Sequence, residues 1–439
     1  MGTKGTWRLA IFSTIVILMV AFTTPGMARA AALHQPSAAA AQTISQFSTT
    51  EKVAVLTFDA GSDTGYAASI LDTLKAKGVK ATFGMTGVWA SANLGLVRRM
   101  VSEGHRLMNH TWDHQSFTGA STHTTPLTSA QRASELKRVE DYIWYQVGVG
   151  LKPYFRAPYG DTDSTVLADV GANGYTYNIK WTIDTLSSVQ PMTAQQITDR
   201  VLAYIKPGAI VLMHVGGASQ DGPALPGMID RLRAQGYSFR TVQDFLPQQQ
   251  YFPQTGYTLK DRFLTYWQRN GGLPVFGYPI SAQKVEQTAQ GAFTVQYTER
   301  QRFELHPENN PPYHILLGLL GTQDARRRGL LGTAPFRPLP ANTPSDANCT
   351  FIAATGHRLC YGFRAYWQSH GLDFGDPGTS FRESLMLFGY PISEEFRMTM
   401  ADGHTYTVQY FERARFEWHP ENQPPYDILL GLLGVDNRQ

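Results

Sequence analysis

Five short segments between residues 53 and 244 carry side chains that could do hydrolytic chemistry. In chain order they are Thr57–Asp59, His110–His114, Arg156–Gly160, Trp181–Asp184 and Leu212–His214. Together they supply a carboxylate, two imidazoles, a guanidinium, a second carboxylate and a last imidazole. A set of this kind could hold a metal ion, take a proton from water and return one to a leaving group.

His110 and His114 are four residues apart. On a helix or a tight helical turn this spacing places both rings on one face, about 6 Å apart at Cβ. Two neutral imidazoles so placed can bind one Zn²⁺ and leave positions open for water and substrate. The same spacing also arises by chance in a chain with 12 histidines. The prediction of a metal site therefore depends on the carboxylate before the pair and the histidine after it.

Two of the remaining side chains are candidates for proton transfer. Asp59 ends the first apolar run and is either a turn residue or the base that deprotonates a metal-bound water. His214 ends a later apolar run and is either a core histidine or the acid that protonates a leaving amine. Arg156 and Asp184 could form a purely structural pair. Alternatively they support the first two groups, with Arg156 keeping Asp59 ionised, while Asp184 orients the last histidine.

The elements that must position these residues alternate along the chain. Apolar runs predict strands over residues 53–58, 79–85, 105–109, 154–156, 175–179 and 209–214. Helical patterns separate them at residues 66–77, 94–103, 129–146, 193–205 and 225–235. This alternation predicts an α/β fold with parallel strands. The chemical residues fall at or just after strand ends, where parallel barrels place their active sites.

The ordered set resembles the motifs of the NodB-homology polysaccharide deacetylases, carbohydrate esterase family 4, over residues 51–247. The family's motifs are approximately T-F-D-D, H-[ST]-x-x-H, R-x-P-[YF], D-x-x-D-W and L-x-H. The resemblance implies a distorted (β/α) barrel that removes acetyl groups from sugars with a divalent metal, usually zinc, with cobalt as an alternative. It also implies a role for each matching residue: base Asp59, metal ligands His110 and His114, acid His214, an oxyanion-binding backbone N–H at Tyr159, and Leu212 in the pocket for the acetyl methyl group.

Two positions depart from the family's motifs. The second Asp of the first motif, usually the third metal ligand, is Ala60 here. Asp63 is the nearest substitute, although it could equally be a turn or helix-capping residue. In the fourth motif the second Asp and the Trp are Ser187 and Ser188. The first departure puts activity in doubt, and the second puts the choice of substrate in doubt.

The first 30 residues predict a secretory signal peptide. Lys4 and Arg8 precede an apolar run over residues 9–22, and residues 28–30 offer small side chains for cleavage. The run is shorter than the roughly 20 residues that span a bilayer, so cleavage is favoured over the alternative of a retained membrane anchor. Residues 31–50 predict a flexible leader. The protein is therefore expected to be secreted or associated with the cell wall.

The net charge of the chain indicates which classes of partner it can bind, and its cysteine content bears on the compartment in which it folds. The formal net charge is +3 and no dense Lys/Arg block occurs beyond residues 326–328, which argues against nucleic acid as a partner. Cys349 and Cys360 are the two cysteines of the chain, and they could be free thiols or a disulfide. Export favours the disulfide, because such bonds form and persist in oxidising compartments.

A duplicated module follows the β/α region. Residues 250–321 and 349–434 share the segments Tyr-Trp-Gln, Phe-Gly-Tyr-Pro-Ile-Ser, His-Pro-Glu-Asn and Leu-Leu-Gly-Leu-Leu-Gly in the same order, which identifies two copies of one module. Residues 322–348 are expected to form the linker. The aromatic side chains of the copies either form their cores, which is the favoured interpretation, or stack on a glycan of the cell wall.

These observations predict a signal peptide (1–30), a leader (31–50), a deacetylase domain (51–247) and the two repeat copies. The predicted function is an exported, metal-dependent deacetylase acting on N-acetyl groups of peptidoglycan or a chitin-like polysaccharide. One alternative is a glycan-binding protein whose scaffold has lost catalysis through Ala60. Another is an O-acetyl esterase of the xylan type, for which Ser188 leaves room.

Overall fold

The computed structural model describes residues 2, 39–288 and 291–438. The predicted signal peptide, residues 1–30, lies outside the described residues except for Gly2. Among the residues described, no helix is long and apolar enough to cross a membrane.

A single parallel sheet positions the five segments. Its nine strands are β1 Gln42–Ile44, β2 Val53–Ala60, β3 Thr82–Met85, β4 Arg106–Asn109, β5 Tyr154–Phe155, β6 Tyr177–Ile179, β7 Ile183–Asp184, β8 Ala209–His214 and β9 Ser238–Phe239. The strand order is β1-β6-β5-β4-β3-β2-β8-β7, and β9 pairs with β2. All eight residues of the central strand β2 are buried, as expected for a strand covered on both faces. The predicted distorted (β/α) barrel is confirmed.

Eight helices accompany this sheet. They are α1 Ala67–Ala76, α2 Gly87–Ala92, α3 Leu94–Ser102, α4 Ser129–Val147, α5 Ser164–Ala172, α6 Ala194–Tyr204, α7 Asp221–Ala234 and α8 Val242–Phe245. The longest, α4, begins at a capping box between Thr128 and Gln131 and ends at Gly148 in the left-handed conformation (φ 73°). Both signals are local in sequence, which is why its predicted bounds agree closely with the observed ones.

The prediction of a flexible leader is wrong for residues 39–50. The strand β1 extends the sheet beside β6, with Ile44 opposite Ile179. Phe47 is 6% exposed, and its ring stacks on Phe245 with the centroids 4.3 Å apart. A three-residue edge strand is too short to show a recognisable apolar period in the sequence, so only its pairing with the sheet identifies it.

Each repeat copy contains a two-stranded hairpin, two helices, a four-stranded antiparallel sheet and a closing helix. In the first copy these elements are β10 Gln249–Phe252, β11 Tyr257–Lys260, α9 Asp261–Arg269, α10 Gly272–Phe276, β12 Lys284–Thr288, β13 Gly291–Tyr297, β14 Arg302–Leu305, β15 Ile315–Leu317 and α11 Leu320–Arg327. In the second they are β16 Cys349–Ile352, β17 His357–Cys360, α12 Tyr361–Ser369, α13 Phe381–Phe388, β18 Phe396–Thr399, β19 Thr405–Tyr410, β20 Arg415–Trp418, β21 Ile428–Leu430 and α14 Leu433–Asn437. Cys349 and Cys360 lie opposite each other in the second hairpin and form the predicted disulfide.

The segment predicted as a linker, residues 322–348, is partly packed against the second copy. Asp324 of α11 is fully buried, accepts a hydrogen bond from the Tyr410 hydroxyl at 2.8 Å and lies 3.2 Å from Arg415. Phe336 is 7% exposed. The linker prediction is wrong for these residues, because a short polar helix with one buried carboxylate has no apolar pattern in the sequence.

The closing helix of each copy packs against the other copy. A Cβ atom at Gly321 would lie 1.9 Å from the Phe411 carbonyl oxygen, and one at Gly434 would lie 1.9 Å from that of Thr298. Only glycine permits so close an approach of two backbones. The glycines that end the two repeated Leu-Leu-Gly-Leu-Leu-Gly segments therefore permit close backbone packing between the copies.

Most of the repeat aromatics belong to the core. Tyr297, Phe303, Tyr410 and Phe416 are between 0% and 4% exposed. Several aromatic side chains of the second copy differ: Tyr361 and Phe381 are exposed, as are Trp418 at 44% and Tyr426 at 68%. The last two lie at or beyond the end of β20, outside the buried core.

Candidate active site

The five segments meet at one edge of the parallel sheet. Asp59, near the end of β2, pairs in register with His214 at the end of β8, and His110 directly follows β4. Because the carboxyl ends of parallel strands share an edge, residues far apart in the chain come together there. They line a cavity of about 580 Å³, which is within the usual size range of small-molecule sites. Leu212 and Tyr159 also line this cavity.

Asp59 is held as a carboxylate by Arg156. The Arg156 guanidinium is fully buried and donates from Nη1 to Asp59 Oδ1 at 2.8 Å and from Nη2 to the Thr57 hydroxyl at 2.9 Å. Burial acts to raise the pKa of Asp59, but the charges of Arg156 and of two nearby histidines outweigh it and hold this pKa below its ordinary value. A Cβ atom at Gly84 would lie 2.8 Å from Asp59 Oδ1, so β3 leaves room for the carboxylate only with glycine there.

His110 and His114 come together as predicted, but not on a helix. They lie in a loop after β4 in which Thr111 and His114 both adopt a φ of 66°. The two rings contact each other edge to face, with centroids 4.8 Å apart. The loop is fixed by Glu135 of α4, which accepts the backbone N–H groups of residues 112 and 113. The helical interpretation of the spacing is therefore wrong, because the loop's hydrogen bonds rather than helical periodicity set the ring positions.

The protonation of this pair suits a metal ligand. His110 Nδ1 lies 2.9 Å from the Arg156 carbonyl oxygen, and since a carbonyl only accepts, Nδ1 carries the proton and Nε2 keeps its lone pair. That Nε2 lies 3.5 Å from Asp59 Oδ2. Burial lowers the pKa of His110, and it lowers the pKa of His114 to about 4. Both rings are therefore neutral near pH 7, as imidazole ligands must be.

The structure brings no third ligand to these two imidazoles. Asp63 does not line the cavity, since its carboxylate accepts the Gly217 backbone N–H at 2.7 Å and ties two loops together. Within the described ranges, no group of three or more His, Cys, Asp or Glu side chains is arranged to hold a metal ion. The structure places the Asp63 carboxylate against Gly217 rather than in the cavity, so the tentative assignment of Asp63 as a ligand stays a prediction. The two histidines fit part of a metal site, and the other positions would be left to water and substrate.

His214 is supported by Asp221 rather than by Asp184. Its Nδ1 lies 3.7 Å from Asp221 Oδ2, and its backbone N–H donates to the same oxygen at 2.8 Å. Asp184 instead accepts the Leu186 backbone N–H at 2.8 Å. Burial acts to lower the pKa of His214, but the contact with Asp221 and the charge of Asp59 outweigh it and raise this pKa. The prediction that Asp184 orients His214 is therefore wrong.

Asp221 itself is the first residue of α7 and is fully buried. Its Oδ2 also accepts hydrogen bonds from the hydroxyls of Ser187 and Ser219, each at 2.8 Å. Ser187 stands where the fourth motif of the resembled family has its second Asp. At this position, therefore, a serine hydroxyl is hydrogen-bonded to the buried Asp221 carboxylate. The signal in the sequence was the loss of the motif's Asp together with a new Asp seven residues after His214.

The remaining residues predicted for the site, Leu212 and Tyr159, both line the cavity. Leu212 is 4% exposed and lines it. Tyr159 has a φ of 60°, and its ring contacts His114 edge to face at 4.7 Å. Among the described residues, the Tyr159 backbone N–H has no acceptor, so it is free to donate into the site. Trp181 lines the cavity together with Ser188, so an indole is present although the Trp of the fourth motif is absent.

The comparisons with known proteins agree with this geometry. The model of the family "Polysaccharide deacetylase" matches residues 47–178. The peptidoglycan-N-acetylmuramic acid deacetylase PdaA of Bacillus subtilis is 31% identical over 201 residues, which are 45% of this chain and 73% of that protein. The chain therefore belongs to the polysaccharide deacetylase family.

Two further similarities concern only parts of the proteins compared. The peptidoglycan-N-acetylglucosamine deacetylase PgdA of Listeria monocytogenes is 31% identical over 227 residues, which are 51% of this chain and 46% of the relative. This chain thus spans about half the length of that relative. A crystal structure of a family 4 pseudoenzyme from Bacillus anthracis is 27% identical, with a TM-score of 0.43, and the match covers 47% of this chain and 70% of that one.

Proposed function

We propose that this protein is an exported, metal-dependent deacetylase that removes N-acetyl groups from peptidoglycan or a chitin-like polysaccharide. The observation that carries the proposal is the placement of Asp59 and His214 side by side on β2 and β8, with the imidazole pair beside them. Base, acid and ligand positions converge on one cavity, as amide hydrolysis requires. Membership of the polysaccharide deacetylase family supports a sugar-bound acetyl group as the substrate.

Proton transfer follows from the environments of the two titrating groups. Asp59 stays ionised because Arg156 holds Oδ1, which leaves Oδ2 to accept a proton from the attacking water. His214 stays protonated to higher pH than an ordinary histidine, so it can give its proton to the departing sugar amine. Many enzymes pair a base and an acid whose environments push their pKa values in opposite directions, as is the case for the Asp59 carboxylate and the His214 imidazole. Acetate and a free amine on the sugar are the products.

The negative charge that develops on the acetyl oxygen needs donors in place before the reaction. The free backbone N–H of Tyr159 is one such donor, while Leu212 offers an apolar surface for the acetyl methyl group. A divalent metal, zinc or cobalt, would be held by His110 and His114. When bound, it would polarise the carbonyl and acidify the attacking water.

A second candidate function is glycan binding without catalysis. It is favoured by Ala60, which leaves the imidazole pair without a third protein ligand in the described part of the chain. In this alternative the exposed rings of Trp418 and Tyr426 would contact sugar, since aromatic faces at a surface can cover apolar faces of a ligand. Binding to the cell wall through the repeats would then be the whole function.

Acetate release from residues 31–439 tests the two candidates. The substrates are N-acetylated chitooligosaccharide, peptidoglycan and O-acetylated xylan, each with and without added zinc or cobalt. We expect metal-dependent release from an N-acetylated substrate and loss of release in His114→Ala, with the exposed His123→Ala as the matched control. Release from xylan alone would instead indicate an O-acetyl esterase. No release by a folded protein that retains glycan would favour the binding function.

A further inference from the structure

A second cavity, of about 350 Å³, lies between the deacetylase domain and the first repeat copy. Its deacetylase side includes His105 and Arg106, which stand at the amino end of β4. The candidate active site begins at His110, beyond the carboxyl end of the same strand. The two cavities therefore open at opposite edges of the sheet, and the second belongs to no part of the proposed reaction.

Three cationic side chains line this cavity: Arg106, Lys260 and Arg262. Among the described residues, none of the three forms an ion pair or a side-chain hydrogen bond. Asp261 is the one carboxylate in the lining, so three positive charges minus one negative charge leave +2. Burial and the charge of Arg106 lower the pKa of Arg262, as expected for two cations that line one cavity.

His105, another lining residue, is a neutral histidine with a buried ring. Its Nδ1 accepts the Ala81 backbone N–H at 3.2 Å, so in the neutral ring the proton is on Nε2. That Nε2 is buried without a partner, and the residue is 3% exposed. Burial and the charge of Lys80 lower the pKa of this histidine to about 4, so the neutral form predominates near pH 7. The neutral ring therefore adds no charge to the lining.

The first turn of α9 contributes further donors. The helix begins at Asp261, and its N-cap residue, Lys260, makes no capping hydrogen bond with its side chain. Asp261, Arg262 and Phe263 all line the cavity. The Asp261 N–H already donates to the Gln248 carbonyl oxygen at 2.9 Å. The N–H groups of Arg262 and Phe263, together with the positive end of the helix, favour an anion at this place.

The second repeat copy shows that the cations are not required by the module's fold. Positions 360 and 362, which correspond to Lys260 and Arg262, are Cys360 and Gly362. In contrast, the core residue Phe263 recurs as Phe363, and both are buried. The positive lining is therefore specific to the first copy, whose residues Lys260 and Arg262 border the cavity.

We propose that this cavity binds an oxyanion, a carboxylate or phosphate group, carried by a sugar-sized molecule. The unpaired guanidinium groups match the planar oxygen pairs of carboxylate and phosphate. Leu107, Val149 and Phe263 provide apolar walls for the body of the ligand. The volume lies at the lower end of the range for small-molecule sites, about 300–1,000 Å³, which suits one sugar ring.

Isothermal titration calorimetry on the full chain tests the proposal. The ligands are glucuronate and glucose 6-phosphate, with neutral glucose as the uncharged control. We expect saturable binding of at least one charged sugar, weakened by salt, and no binding of glucose. Arg262→Gln and Arg106→Gln should each weaken binding about tenfold or more, the usual effect of losing a charge-assisted contact.

The matched control is Arg397→Gln, which removes one exposed positive charge from β18 of the second copy. It should leave the affinity unchanged. Equal affinity of all three variants and the wild type, equally tight binding of glucose, or no saturable binding would each overturn the proposal. Arg106 is exposed and makes no side-chain hydrogen bond or ion pair among the described residues, so its variant keeps the test valid if Arg262→Gln does not fold. An oligoglucuronate arm distinguishes the source: tighter binding than glucuronate indicates a polymer, and equal binding indicates a free small molecule.

Discussion

Asp221→Asn should impair the proposed reaction through His214 without disturbing the fold. Asparagine keeps an acceptor oxygen for the Ser187 hydroxyl and the His214 backbone N–H, but it removes the negative charge. At the observed 3.7 Å and an effective dielectric constant of about 20, that charge interacts with a protonated imidazole by about 4.5 kcal/mol. This figure is an upper bound, because the His214 side chain is 23% exposed and water screens the pair.

The expected loss is about 1.5–3 kcal/mol, the usual range for a charge-assisted contact, or about 10- to 150-fold in kcat. The pH profile separates this effect from a structural one. Asp221 raises the pKa of His214, so the acid form persists to higher pH in the wild type. Removing the charge should move the alkaline limb of the kcat profile to lower pH. The assay is acetate release from chitooligosaccharide across pH, with thermal unfolding as the check on folding.

Two comparison variants make the result decisive. Asp230→Asn lies on the same helix, α7, and its carboxylate pairs with Lys77 at the surface, so it should leave the profile unchanged. Asp184→Asn should have a smaller effect than Asp221→Asn, because the Asp184 carboxylate bonds a loop N–H instead of facing His214 closely. An unmoved alkaline limb in Asp221→Asn, or a larger shift in Asp184→Asn, would refute the assignment of Asp221.

Three further predictions concern the metal, the base and the disulfide. Ala60→Asp restores a carboxylate at the position of the missing ligand. It should raise zinc affinity, measured by equilibrium dialysis, about tenfold or more, since changing even a group that only supports a metal ligand commonly changes affinity by that factor. Because the folded pKa of Asp59 lies below its ordinary value near 3.8, the stability from its pair with Arg156 is present above that value and is lost as pH falls through the folded pKa. Urea unfolding should therefore show Asp59→Asn less stable than the wild type at neutral pH, with the difference shrinking in strong acid. Replacing both Cys349 and Cys360 by Ala opens a loop with a sequence separation of 11 and should cost about 3 kcal/mol, measured by the same unfolding, with acetate release unchanged.

Each of these has a clear contrary outcome. Unchanged zinc affinity in Ala60→Asp would mean that this position does not reach the imidazole pair. A stability difference for Asp59→Asn that stays constant from neutral pH into strong acid would show that the ion pair is not its cause. Loss of acetate release on removing the disulfide would show that the second repeat copy takes part in the reaction.

Local features of the sequence were enough to predict much of this molecule. The apolar run of β2, the capping box of α4 and the exact repetition of the Leu-Leu-Gly-Leu-Leu-Gly segment depend on residues close together in the chain. Such signals survive in a single sequence, because a period of 2 or 3.6 residues or a cap needs no distant partner. The convergence of Asp59 and His214 was also predictable, since parallel strands place their carboxyl ends at one edge.

Other features depended on contacts between elements that lie far apart in the chain. Asp221 replaces Asp184 beside His214 because α7 packs against β8. Ser187 in the fourth motif marks a change at this place, but it does not identify Asp221 as the new partner. Asp63 is drawn to Gly217 rather than to the histidines by the meeting of two loops.

By itself, then, the sequence determined the family motifs, the parallel construction and the duplicated module, and it favoured the disulfide over free thiols. Only the tertiary structure decided the loop geometry of the histidine pair, the partner of His214, and the pairing of residues 42–44 with the sheet. It alone also placed three unpaired cations around a cavity between the deacetylase domain and the first repeat copy. The physical reason for this division is that helical and strand periodicity depends on residues that are neighbours in the chain. Charge pairing and burial depend instead on contacts between surfaces that are distant in the chain.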